Sequence, residues 1–542
     1  MADEKTPRVS DDKVSGEKAG QDVEAADSGL NRALKSRHLQ FIAIGGTIGT
    51  GLFLGTGSAL AKAGPASLLI AFIFVGLVVY SVMVALAEMA AYMPVAGAFT
   101  VYATRFVDPT VGFTMGWIYW FSWTITYGLE LVAAGLILQY WNETLNIGTS
   151  PPPRLPWPTG RANRPPALPI GIFWAVITGI NFLPIRWFGE IEMWLSTIKI
   201  VTIVGFIVFS IAINAGAGRQ GYIGFKYWTF PGSFAEGPFA EAVDGAAPER
   251  LVTGALGRFV GFWAVLITAG FSYQGSELVG VAAGDAADPE KTIPSAIRWT
   301  FWGIFSLFIA TIFVLGLNIP FDNQELLNKS TNASASPFVI VCTLAGVQVL
   351  PHIINAVLLS AVLTAANSDV YSSSRILLAL AEEGHAPAML TKTNRHGTPY
   401  WSVAACASFG LLAFLNVSKD GETVFNWLLN ITAVAGFITW SLINVCHLRF
   451  MSVLRHKAIP RASLPYRAPF QPYLSWFGLF FNVLILMTSG FTVFMDWDTS
   501  NFFAAYISLF LFVFLFIGHK LFYRTKLVAL ADADVSMGRA LA

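Results

Sequence analysis

From His38 onward the chain alternates long apolar runs with short polar breaks. About twelve runs reach the roughly 20 residues that a helix needs to cross a bilayer. They fall at about 40–61, 66–92, 112–140, 167–184, 193–215, 255–283, 299–320, 348–374, 400–416, 423–447, 473–495 and 502–523. The ninth is short and the eighth is rich in polar residues. Residues 1–37 hold acids, lysines and small residues with almost no large apolar ones, the composition of a disordered tail. That stretch lacks the apolar core and cleavage pattern of a signal peptide.

An even number of spans puts both tails on one side. With the tails inside, inner segments near the membrane carry about 18 Lys and Arg and outer segments about 10. The excess of positive charge predicts that both termini are cytoplasmic. The Pro-rich loop 150–169 then lies outside, as do the glycosylation sequons at Asn142, Asn328 and Asn332.

Composition narrows the class. Of 542 residues, 55% are hydrophobic and only 12% charged, about half the charged share of a soluble domain. A soluble enzyme, a disordered protein and a fibrous protein are excluded, because this much apolar surface cannot be hidden from water. The net charge of +1 gives no general field for nucleic acid. Cys342, Cys406 and Cys446 are far apart and show neither a disulfide framework nor zinc spacing. The histidines form no HExxH pattern, and no nucleophile–base pair or nucleotide loop points to an enzyme or a cofactor.

Two spans read as broken helices. The first contains Ile44-Gly-Gly-Thr-Ile-Gly-Thr-Gly51, with four glycines in eight residues. The sixth contains Phe271-Ser-Tyr-Gln-Gly-Ser-Glu277, polar residues in the middle of an apolar run. Each helical glycine costs about 1 kcal/mol relative to alanine. Unwound backbone at membrane depth survives only where it is buried in protein or lines a cavity. The breaks lie about 225 residues apart, so spans one to five and six to ten each begin with an interrupted helix. This is the pattern of a transporter built from inverted repeats, with spans eleven and twelve added. At the first break, N–H groups of a half-helix suit a carboxylate; carbonyls of the second suit an ammonium. The other reading of the first break is a close helix contact, since Gly51-Leu-Phe-Leu-Gly55 is a GxxxG.

Span three carries Ser122, Thr126 and Glu130 at i, i+4, i+8, on one helix face. A carboxyl inside a membrane is a functional candidate that can load and release a proton; alternatively Glu130 pairs statically with a cation. Lys199 in span five can cycle a proton, replace a bound sodium ion, or snorkel to the inner interface. Glu277 gates the site or caps the second half-helix. Glu88 reads as structural, and Asp285 and Asp288 as solvated loop acids. Spans eight (Thr364, Asn367, Ser368, Asp369, Tyr371, Ser372) and ten (Asn430, Thr432, Gly436, Thr439) offer polar faces for a cavity or for interhelical bonds. The aromatics Trp117, Tyr119, Trp120, Trp123 and Tyr127 read as packing or interface belt.

The run Arg37-His-Leu-Gln-Phe-Ile-Ala-Ile-Gly-Gly-Thr-Ile-Gly-Thr-Gly-Leu-Phe53 resembles the first helix of fungal amino acid permeases, the yeast amino acid transporter family within the amino acid–polyamine–organocation superfamily. Ala85-Leu-Ala-Glu-Met-Ala90, Gly128-Leu-Glu130, Gly275-Ser-Glu277, Ala366-Asn-Ser-Asp-Val-Tyr371 and Asn430-Ile-Thr432 resemble it too, in order, over roughly 37–520. Helices three (Tyr119 to Glu130) and six (Phe271 to Gly280) look most like those of arginine and lysine permeases. Helix eight departs: it reads Asn367-Ser-Asp369 where the yeast basic permeases resemble Asn-Ser-Asn.

The resemblance implies an all-α integral membrane protein of twelve transmembrane helices with the LeuT-type 5+5 inverted repeat and broken helices one and six. Its parts are a cytoplasmic tail 1–37, a permease domain 38–523 (repeats at about 38–215 and 255–447, extra helices at about 473–523) and a tail 524–542. It implies proton symport of amino acids, cationic ones favoured, across the plasma membrane. The proton is the coupling ion, no other cofactor is needed, and ubiquitination machinery is a possible partner of the N-terminal tail. Carried over by motif, substrate would meet Thr47, Ile48, Gly49, Thr50, Gly51, Phe271, Ser272, Tyr273 and Gln274 at the breaks. Thr50 and Gly51 would offer amides to its carboxylate, and Thr47, Phe271 and Gln274 carbonyls to its ammonium. Phe271 would be the aromatic gate. Ser122, Thr126 and Thr432 would face the side chain, and Glu130, Lys199 and Glu277 would couple the proton or gate. The alternatives are a permease for proline or neutral amino acids or of broad specificity, and a non-transporting sensor. Sensors of this family have a much longer N-terminal tail.

Overall fold

The computed structural model describes residues 36–95, 98–141, 167–183, 185–237, 252–281, 288–327, 336–394, 397–417 and 421–535. Most of the N-terminal tail, most of the Pro-rich loop, Asp285 and the sequon asparagines 142, 328 and 332 lie outside these residues. The described residues are helical, with no strand among them. In chain order the helices are α1 Ser36–Thr47, α2 Thr56–Tyr92, α3 Ala98–Phe106, α4 Pro109–Leu138, α5 Ala167–Asn181, α6 Ile185–Ala212, α7 Gly254–Ala264, α8 Leu266–Tyr273 and α9 Leu278–Val281. They continue with α10 Pro289–Asn318, α11 Gln324–Leu327, α12 Pro337–Leu344, α13 Leu350–Glu382, α14 Tyr400–Phe409, α15 Gly421–His456, α16 Tyr473–Thr488 and α17 Thr499–Tyr523.

Nine helical stretches among the described residues are long and apolar enough to cross a membrane, and two shorter apolar helices occupy Leu168–Asn181 and Tyr400–Leu415. One of the nine, Ala43–Tyr92, is interrupted at Gly64, where φ is +78°. Pro65 follows, and a residue before proline avoids the helical region. A side chain at Gly64 would also strike the backbone of Phe234 and Ala235. The backbone groups freed at this corner are taken up by that same segment: Ala66 N–H donates to the Ser233 carbonyl and Ala235 N–H to the Ala63 carbonyl, both at 2.9 Å.

Outward faces are apolar. Val201 and Val208 on α6 and Phe514 and Leu521 on α17 are largely exposed, which only lipid can compensate. The centre is occupied by α4, packed against α13 and α15. Asp108 starts α4: its carboxylate accepts from the Thr110 amide at 2.8 Å, with Pro109 in the first helical position. The chain is thus a multi-pass integral membrane protein.

Candidate functional site

Both expected interruptions are present where glycine and polar residues enter apolar runs. The first helix leaves regular geometry at Ile48 and Gly49 and resumes as a wide turn, Gly51–Gly55, before α2. The second stops at Tyr273. Gln274 turns to ψ 143° and Gly275 to φ +96°, and α9 begins at Leu278. The two breaks touch. A Cβ on Gly275 would lie 2.9 Å from the Gly46 carbonyl oxygen, and one on Gly51 would lie 2.8 Å from Ser272 Cα. Glycine is required at both for approach, and at Gly275 for its left-handed backbone as well.

Beside this crossing lies a small cavity, lined by Gly46, Thr47, Gly49, Thr50, Gly51, Ser122, Trp123, Thr126, Glu130, Phe271 and Gln274. Nine of the residues singled out from sequence share this wall: Thr47, Gly49, Thr50, Gly51, Ser122, Thr126, Phe271, Gln274 and Glu130. Ile48, Ser272, Tyr273, Thr432, Lys199 and Glu277 are outside it. The Tyr273 hydroxyl points away to the Phe72 carbonyl at 3.2 Å. Ser272 donates to the Thr268 carbonyl at 2.8 Å and wedges against Gly51. The Thr432 hydroxyl bonds back to its own helix, to Leu428 and Leu429, so what Thr432 presents is its carbonyl. That carbonyl accepts from Gln274 Nε2 at 2.9 Å and from Ser122 Oγ at 3.3 Å.

The three ionisable candidates stand in different surroundings. Glu277 is buried with both oxygens used: Tyr119 Oη at 3.3 Å, Trp440 Nε1 at 3.3 Å and the Gly275 amide at 3.2–3.3 Å. It braces the second break from behind. Lys199 is fully buried and does not snorkel; its Nζ donates to the Gly45 carbonyl at 2.8 Å, taking up a backbone acceptor of α1 just before the first break. Glu130 faces the cavity. One oxygen accepts from the Thr50 hydroxyl at 2.9 Å, with the Thr50 amide a further donor to the carboxylate. The other oxygen, Oε2, has no partner among the described residues.

Gly46, part of the first break but not singled out there, and Trp123, read from sequence as packing or interface belt, both line the cavity. Trp123 sits three residues before Thr126, which placed it on the polar face of α4. Glu192 was also missed. It lies one residue before the expected fifth span, but it stands two turns from Lys199 on the same face of α6 and is buried. Asp369, one of the polar residues of span eight, is likewise buried, and Glu130, Glu192 and Lys199 are its charged neighbours.

The amino acid permease family profile matches residues 38–531. The lysine-specific permease of Saccharomyces cerevisiae is 40% identical over 514 residues, 95% of this chain and 79% of its own. The basic amino-acid permease of the same yeast is 41% identical over 513 residues, 94% of this chain and 84% of its own. Its dicarboxylic amino acid permease is 39% identical over 512 residues, 93% of this chain and 79% of its own. With nearly the whole chain matched, this protein belongs to the amino acid permease family, whose members are transporters and not enzymes.

Proposed function

We propose that this permease imports cationic amino acids, arginine and lysine, with protons across the plasma membrane, both termini facing the cytoplasm. Relatives named for basic and for dicarboxylic substrates are almost equally similar, so the choice rests on the cavity. Its lining contains one ionisable group, Glu130, and no cationic side chain. The unpartnered Glu130 Oε2 is the observation that carries the reading. An acceptor buried without a partner costs about 1–3 kcal/mol, and a guanidinium or ammonium tail relieves that cost. An acidic side chain would instead add like charge.

The mechanism is alternating access in a twelve-helix bundle of two inverted repeats, rocking about the paired breaks. The substrate's α-carboxylate takes the Thr50 and Gly51 amides, and its ammonium meets carbonyls of Thr47, Phe271 and Gln274. The carboxylate competes with Glu130 for Thr50, so binding frees Glu130 for the side chain. Phe271 closes over the substrate. Ser122, held with Gln274 on the Thr432 carbonyl, shapes the far end of the cavity. Glu130 exchanges Thr50 for the substrate's cationic tail, while Lys199 holds the first break through Gly45.

Uptake of labelled arginine, lysine, proline and glutamate into permease-deficient yeast tests this. Arginine and lysine should accumulate, and a proton uncoupler should abolish accumulation. Preferred uptake of glutamate or proline, or indifference to the uncoupler, would refute the corresponding half.

A further inference from the structure

Around the first break, four buried ionisable side chains from three helices lie within electrostatic reach of one another: Glu130 of α4, Glu192 and Lys199 of α6, and Asp369 of α13. None is more than 3% exposed. Glu192 accepts from Ser196 at 3.4 Å, neighbours Ser368, and packs so closely on Gly45 that a methyl group there would overlap it. Asp369 lies two residues after Asn367, which is tied to Asn181 at 2.8 Å. One oxygen on each carboxylate, Glu130 Oε2, Glu192 Oε2 and Asp369 Oδ2, has no hydrogen-bond partner among the described residues.

Three carboxylates and one ammonium sum to two negative charges if all are ionised, and a dry interior does not hold net charge without compensation. Lys199 and Glu192 cancel, two turns apart on one helix. Glu130 opens on the cavity and can meet the cationic tail of a substrate. Asp369 does not line the cavity, so a proton is what can neutralise it. A cluster holding substrate alone keeps one negative charge; with substrate and one proton it is neutral.

We infer that Asp369 carries the transported proton, on a site separate from the carboxylate that binds the substrate's cation. This rests on the proton-symport reading above. An O–H bond forms at Asp369 from a proton supplied by the outer solution, and it breaks to water on the cytoplasmic side after substrate release. Lys199 is then left as the cation in range of both Glu192 and Asp369.

The full chain, purified into proteoliposomes, gives two readouts with labelled lysine: counterflow at equal pH, and accumulation driven by an inward proton gradient. In Asp369→Asn the ratio of driven accumulation to counterflow should fall by about tenfold or more, and Asp369→Glu should restore it. A wild-type ratio in Asp369→Asn overturns the inference; so does loss of counterflow together with accumulation in a monodisperse protein. If Asp369→Asn is not monodisperse, Asp369→Ser is read in the same way. Wild-type protein that ignores the gradient overturns the symport reading itself, whatever the variants do.

Discussion

Glu88 and Glu130 are both buried carboxylates in this bundle, and their surroundings are opposite. Glu88, at the end of α2, is fully satisfied. Arg461 grips both oxygens at 2.7 Å, His447 Nε2 lies 3.1 Å away, and the Ala468 amide donates at 2.9 Å. His447 is itself tied to Ser475 at 2.9 Å. The cluster joins α2 and α15 to the loop before α16, with no oxygen left over. Glu130 keeps one oxygen on Thr50 and leaves the other bare against a cavity. A buried charge with all its bonds made is a rivet. One with an oxygen unpaired by protein, facing a cavity, is free to bond what enters it.

The largest effect should come from the rivet. Glu88→Gln strands Arg461 and should cost about 3–5 kcal/mol, read as a lower thermal unfolding midpoint in detergent. Unchanged stability would break the contrast from that side. Glu130→Gln should do the reverse: stability near wild type, with arginine and lysine uptake reduced by about a hundredfold, roughly 2.7 kcal/mol. Wild-type accumulation at equal surface expression would remove Glu130 from the site. Gly275→Ala sharpens the comparison by attacking the crossing of the breaks. It forces a side chain into a left-handed position 2.9 Å from the Gly46 carbonyl, and should cost about 1–3 kcal/mol together with transport.

The smallest effect lies outside the membrane spans, at Asp108. Burial alone would push its pKa up, but Lys520, Thr525 and the Thr110 amide outweigh it and hold the carboxyl below its usual range. Folding therefore favours the ionised form. Its contribution is present above the unfolded value near 3.9 and is lost as pH falls through the lower folded value. Lys520 is partly exposed, so Asp108→Asn should cost about 1 kcal/mol or less at neutral pH and nothing in strong acid. Unfolding midpoints of the two proteins should converge as pH drops below about 4; a constant difference would mean that the ion pair contributes nothing.

The membrane class, the positions of the apolar helices and both interruptions could be read from the chain, because each is a local property. Glycine and polar residues inside an apolar run leave few other solutions at membrane depth. The polar face of α4 was equally legible, since Ser122, Thr126 and Glu130 share it by helical spacing alone. Which carboxylate stays unpaired could not be read this way. Glu88, Glu130, Glu192, Glu277 and Asp369 are all acids in or beside apolar runs, and their partners come from segments up to hundreds of residues away: Arg461 for Glu88, Thr50 for Glu130, Trp440 for Glu277. Thr432 shows the same limit at close range. Its place on a polar face left cavity lining and interhelical bonding both open; the hydroxyl satisfies its own helix and the carbonyl holds Gln274 and Ser122.

The amino-acid sequence by itself determined that this chain lives in lipid and that two of its helices break, because hydrophobic period and glycine content act on neighbouring residues. Only the tertiary structure decided that the breaks cross, that Glu130 opens on the cavity, and that Lys199 and Glu277 brace the backbone from behind. Hydrogen-bond satisfaction in a dry interior depends on which distant groups arrive within about 3 Å, and no local pattern encodes that.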